Sequence, residues 1–167
     1  MRGWPVVDSV QFARTRGEVH CSIAISELGR LARTVSADEG EIGVRLDGFE
    51  DPDGRLGLRL RVTGDVQLVC QRCLGPLKLN VATDRSFLLA EREQDIPGLE
   101  EEDDDVETLL ADSRLDVAVL AEDEFLLQIP MSPVHDDGLC ARPEWGGDRR
   151  DSGTAFGALG ALINTED

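Results

Sequence analysis

The chain predicts an α+β fold: an antiparallel β-meander sheet of about five or six strands, with a few short helices packed on it. Apolar residues alternate with polar ones from Glu18 to Ile25 and again from Ile42 to Val62, the period of half-buried strands. Turn signals, Asp51-Pro52-Asp53-Gly54 and Leu74-Gly75-Pro76, separate such runs at hairpin spacing. Helix-start signals are read at Ser26 and Asp116, and the helices are expected to be few and short.

The first strand presents Val19, Cys21, Ile23 and Ile25 to one face, which makes Cys21 a small core residue. Ser26 can cap a short helix carrying Leu28, Leu31 and Ala32 on one side. Ile42, Val44 and Leu46 form the next strand. After the Asp51–Gly54 turn, Leu56, Leu58, Leu60 and Val62 alternate with Arg55, Arg59 and Arg61, apolar on one face and cationic on the other. Thr63-Gly64-Asp65 reads as a turn into Val66, Leu68 and Cys70, and a further turn at Leu74-Gly75-Pro76 leads into Leu77, Leu79 and Val81. Phe87 to Ala90 is one more strand candidate. Cys70 and Cys73 then fall at a tight knuckle between two strands.

Glu100 to Glu107 breaks the pattern: seven of its eight residues are acidic, a density that cannot be buried. Residues 94–113 are therefore expected as an acidic flexible loop, either a plain linker or a clamp for a basic partner. It lacks the alternating carboxylates and the glycine of a calcium loop. Asp116 caps a helix through Val117, Leu120, Ala121 and Glu124, ending near Pro130; strand character toward Ile129 is the alternative. Residues 141–167 form a weakly ordered tail, with a weak helix between Gly153 and Leu162. The whole, 1–167, is expected as a single domain.

Charge restricts the partners. The chain of 167 residues has 34 acidic against 17 basic residues, a net charge of −17, so phosphate attraction cannot carry broad nucleic-acid binding. It suits a basic protein partner, although solubility alone would also explain it. The one concentrated basic surface carries Arg55, Arg59, Arg61 and Arg72, which either touch RNA locally or pair with the chain's own carboxylates. With 4% aromatic residues and no Tyr, the core must rest on Leu, Val and Ile. No apolar run approaches a membrane span, and no leader pattern opens the chain, so a cytoplasmic protein with reduced thiols is expected.

Two segments combine metal-ligand and turn chemistry. Cys70-Gln71-Arg72-Cys73 is answered by Pro130-Met131-Ser132-Pro133-Val134-His135-Asp136-Asp137-Gly138-Leu139-Cys140. Cys70, Cys73, His135 and Cys140 make a four-ligand set for one Zn2+, because two thiolates at a turn can face one point. The alternative is that Cys70 packs in a strand, Cys73 is a turn thiol and His135 belongs to a capped turn. Glu122, Asp123 and Glu124 line the exposed helix face and are the candidate contacts for a basic partner. Catalytic constellations are missing: Lys78, the only lysine, follows no Gly-rich loop, and there is no Gly-x-Ser-x-Gly elbow or deaminase His-x-Glu.

Val66-Gln67-Leu68-Val69-Cys70-Gln71-Arg72-Cys73-Leu74-Gly75-Pro76, with Ala121-Glu122-Asp123-Glu124-Phe125-Leu126-Leu127-Gln128-Ile129-Pro130 and Pro133-Val134-His135-Asp136 to Cys140, resembles the YceD family, the large ribosomal RNA subunit accumulation proteins. Gly17-Glu18-Val19 and Ser26-Glu27-Leu28-Gly29-Arg30-Leu31 are similar to that family's opening strand and helix. The end differs: members commonly finish with Asn-Pro-Phe-Ala and a basic tail, and this chain has Thr154-Ala155-Phe156-Gly157 and an acidic Glu166-Asp167. The resemblance implies a non-enzymatic factor for synthesis, processing or stability of large-subunit (23S) ribosomal RNA, with a ribosomal protein or a large-subunit assembly intermediate as partner. The alternatives are an acidic nucleic-acid mimic and a zinc- or thiol-dependent enzyme.

Overall fold

In the computed structural model, residues 4–95, 107–136 and 139–140 are described. The chain enters through a short strand β1 (Val6–Val7) and a helix α1 (Ser9–Arg14), whose N-cap Asp8 accepts the Gln11 N–H at 2.8 Å. The sheet follows as β2 (Glu18–Ala24), β3 (Glu41–Glu50), β4 (Leu56–Val69) and β5 (Pro76–Ala90), each antiparallel to the last. A short strand β6 (Glu107–Leu110) completes it, giving the order β2-β3-β4-β5-β6. Strand β7 (Leu115–Asp116) pairs with β1 and leads into α3 (Val117–Leu127), the longest helix among the described residues.

The meander is present in the first four strands, but the sheet is mixed, because β6 runs parallel to β5. Parallel pairing needs a crossover of a dozen or more residues, and residues 91–106 supply that length. The stretch 94–113 is therefore not a loop throughout: Glu107, the last acid of the dense run, lies in the sheet, while 96–106 fall outside the described residues. The tail 141–167 and its suggested helix fall outside them as well.

One expected turn, one expected strand and one expected helix cap are also corrected. Thr63-Gly64-Asp65 does not turn, because β4 runs straight through it with Gly64 paired between Ile42 and Val81. A Cβ at Gly64 would lie 3.0 Å from Ile42 Cγ2 and 3.2 Å from Phe125 Cε2, so this glycine makes room for α3 to approach the sheet. Phe87–Ala90 is not a separate strand but the end of β5. Ser26 does not cap a helix. It sits in a 3-10 turn, Ile25–Glu27, without a side-chain cap, and α2 (Leu31–Thr34) begins later.

One face of the sheet carries the core. Ile42, Leu46, Leu58, Leu60 and Val62 are fully buried beneath Ala13 of α1, Leu31 of α2 and Val117, Ala121 and Phe125 of α3. Burying these side chains is the main stabilising term, at roughly 1.5–3 kcal/mol for each large aliphatic or aromatic residue. Cys21 packs half-buried against this core, as its strand position predicts. The opposite face is polar. Arg59 makes a bidentate pair with Asp84, both contacts at 2.7 Å, and Arg61 reaches Asp84 at 3.1 Å and Asp47 at 3.2 Å. Arg55 pairs with Asp51 at 2.7 Å in the β3–β4 turn. These three cations are thus engaged by the chain's own carboxylates.

Candidate metal centre

The knuckle between β4 and β5 is six residues, 70–75, and the pairing of Val69 with Pro76 closes it. Cys70 N–H donates to Gly75 O at 2.9 Å and Leu74 N–H to Cys70 O at 2.9 Å, so the turn is tied on itself. That bond geometry turns Cys70 and Cys73 toward one point. The opposing loop comes from the end of α3. Past Gln128 the chain leaves the helix, Pro133 is buried, and Pro133 O accepts the Gln71 N–H at 2.8 Å. His135 and Cys140 thereby arrive over the knuckle.

The four side chains meet as one cluster, with their ligand atoms all within 4.8 Å of one another. Cys70 Sγ lies 3.7 Å from Cys140 Sγ, Cys73 Sγ 3.4 Å from His135 Nδ1, and Cys140 Sγ 3.7 Å from His135 Nδ1. His135 Nε2 lies 3.0 Å from Pro76 O. A carbonyl only accepts, so Nε2 carries the proton and Nδ1 presents its lone pair to the thiols. Residues 137–138, including the expected Gly138 bend, lie outside the described residues.

The electrostatics suit a cation. Burial opposes the Cys70 thiolate, but backbone N–H groups of Cys73, His135 and Arg72 outweigh it and lower its pKa to about 5. Cys140 moves the other way: burial, then the neighbouring Cys70 and Cys73, raise its pKa. One sulfur is held as an anion while its neighbour resists becoming another, a conflict that a positive ion between them removes. Three sulfurs and one imidazole can hold a metal ion.

A second cluster, Glu18, His20 and Asp47, lies on the open sheet face. Its carboxylates already face guanidiniums, with Arg45 2.8 Å from Asp47 and 3.8 Å from Glu18, so it is an ion-pair group.

A family model described as large ribosomal RNA subunit accumulation protein YceD matches residues 58–158, from β4 through the whole Cys/His cluster. The chain belongs to the YceD family. Among curated relatives, the large ribosomal RNA subunit accumulation protein YceD of Haemophilus influenzae (strain ATCC 51907 / DSM 11121 / KW20 / Rd) is 27% identical over 137 residues, 80% of this chain and 76% of the relative. No solved structure matches this YceD-family chain significantly. Among its described residues no helix is long and apolar enough to cross a membrane.

Glu122, Asp123 and Glu124 do not line an exposed face, because Glu122 and Glu124 are buried. Glu122 Oε1 accepts the Arg30 and Leu31 N–H groups at 2.7 and 2.9 Å and so caps α2 from another element. Its Oε2 takes Arg30 Nε at 2.9 Å, and Asp123 takes the other branch of the same guanidinium. Burial opposes ionised Glu122, but these bonds prevail and its pKa is lowered. Glu124 faces Arg85 at 3.9 Å with a buried Oε2 that has no hydrogen-bond partner. The structural roles of Arg30 and Arg85, ninety-two and thirty-nine residues away in the numbering, carried no local signal in the sequence.

Proposed function

We propose that this protein is a non-enzymatic ribosome biogenesis factor, supporting large-subunit ribosomal RNA in the cytoplasm by stoichiometric binding of a basic protein partner. We further propose that Cys70, Cys73, His135 and Cys140 hold a structural zinc ion. Family membership across residues 58–158 carries the first part: the curated relative is named for large ribosomal RNA subunit accumulation. The charge of −17 supports a cationic polypeptide over RNA as the direct contact.

Geometry supports zinc. Zn–S and Zn–N distances of about 2.3 and 2.0–2.1 Å give tetrahedral edges of about 3.8 Å between sulfurs and about 3.6 Å between sulfur and nitrogen. Three of the separations, 3.7, 3.4 and 3.7 Å, lie close to those edges, and all the ligand atoms are within 4.8 Å of one another. Four protein ligands close the coordination shell and leave no position for substrate, which favours a structural ion over a catalytic one.

Cells lacking the protein should lose large-subunit ribosomal RNA relative to small-subunit RNA, and a ribosome gradient should show the deficit. An unchanged ratio at both fast growth and low temperature would overturn the biogenesis role. Elemental analysis of the purified chain should find one zinc per molecule, and a zinc-free but fully stable protein would overturn the metal assignment.

A further inference from the structure

Large exposed apolar side chains gather at one end of the molecule. Leu74 is 65% exposed, Met131 104%, Val134 42% and Leu139 69%, and Val69 stands beside them at the end of β4. All belong to the knuckle and to the loop that the Cys/His cluster draws over it. A shallow groove of about 350 Å³ borders the patch, lined by Val69, Met131 and Pro133 and by the polar Thr34, Ser36 and Gln71. In a chain of net charge −17, the formally charged residues of the segments 69–75 and 129–140 are Arg72, Asp136 and Asp137, with His135 and the cysteines aside. Elsewhere among the described residues the large exposed apolar side chains are Val6, Leu110, Val119 and Leu127, spread over other elements, whereas the knuckle and its covering loop hold five, and such a grouping marks a contact surface.

Leu74 adopts φ +60°, the left-handed region that disfavours a branched side chain, and yet it projects mostly into solvent. Folding gains little from an exposed leucine in a strained conformation. The turn that holds Cys70 and Cys73 fixes this backbone through the Leu74 N–H on Cys70 O, and the side chain is left facing solvent, available for contact.

We infer that Leu74, Met131, Val134 and Leu139, presented by the metal knuckle, form the docking surface for a basic polypeptide that inserts apolar side chains between its cationic ones. This rests on the protein-partner reading above and gives that partner its place. The charge of −17 draws a cationic chain in and repels both nucleic acid and a second equally acidic copy. The apolar end then supplies the dehydrated contact that determines dissociation.

The test uses the full zinc-loaded chain and the proteins of the large ribosomal subunit, extracted free of RNA, at physiological salt. Wild type should retain one or a few basic proteins. Leu74→Asn with Met131→Ser should lower that affinity tenfold or more, with zinc content unchanged and thermal stability unchanged or higher, since Asn tolerates the left-handed region. The two single variants are read as well, so loss of zinc in one leaves the other to decide. Equal binding by variant and wild type would overturn the surface while leaving the partner reading in place. If wild type retains none of these proteins, the partner reading itself fails. Patch-dependent self-association, or patch-dependent binding of large-subunit RNA, would replace the proposed occupant and overturn the inference.

Discussion

His135 and Pro76 are joined through Nε2 and a strand carbonyl at 3.0 Å, and this contact decides which imidazole nitrogen faces the three thiols. The ring is oriented by the first residue of β5, so the ligand geometry is built into the sheet. His135→Gln should keep the fold but weaken zinc retention by at least tenfold, measured by competition with a chelating dye. Retention equal to wild type would show that the imidazole is not a ligand.

Cys70→Ser and Cys73→Ser should each lose zinc and lower the thermal midpoint, whereas Cys21→Ser should retain the metal, since Cys21 packs against the sheet core. Stripping wild type with a chelator should reproduce the Cys70→Ser midpoint, because binding energy at a structural site is folding energy. Zinc content and calorimetry on the same samples check this.

Glu122→Ala should destabilise the protein by roughly 2–4 kcal/mol, because it leaves the N–H groups of Arg30 and Leu31 without their acceptor at the start of α2. Urea unfolding measures it. A loss below about 0.5 kcal/mol would mean that solvent replaces the carboxylate without penalty.

Glu124→Gln is expected to stabilise. Burial first, then Glu107, raises the Glu124 pKa, while Arg85 at 3.9 Å only partly offsets them. Removing the charge should add roughly 1 kcal/mol at neutral pH. The gain should shrink in acid, where wild-type Glu124 is itself protonated.

Acid should act through Asp84, whose hydrogen bonds from Arg59 and then Arg61 hold its pKa at about 2. Folded Asp84 binds fewer protons than the unfolded chain between pH about 4 and about 2, so its contribution is complete above that window and is lost as pH falls through it. Asp84 is partly exposed, so salt screens the effect. Asp84→Asn should flatten the stability curve in this window at low ionic strength; an unchanged slope would assign acid sensitivity elsewhere.

Patterns with short periods were legible in the sequence. Alternation located β2, β3 and the first half of β4, and Asp116 marked the start of α3, where its side chain accepts the Ala118 N–H at 2.9 Å. The Cys-x-x-Cys and His-x4-Cys spacings named the four residues that cluster. Ligand chemistry demands particular residue types at short separations, and such demands survive in a one-dimensional record.

Contacts between distant segments were decided only by the tertiary structure. Gly64 looked like a turn because nothing nearby reveals that Phe125 packs over it. Ser26 looked like a cap because the actual cap, Glu122, comes from α3. The same folding buries two carboxylates that a helical spacing alone would leave in water, and sets β6 parallel to β5. A local pattern states which face of an element is apolar. Which partner covers that face, and which glycine or carboxylate it needs, is settled when the elements pack.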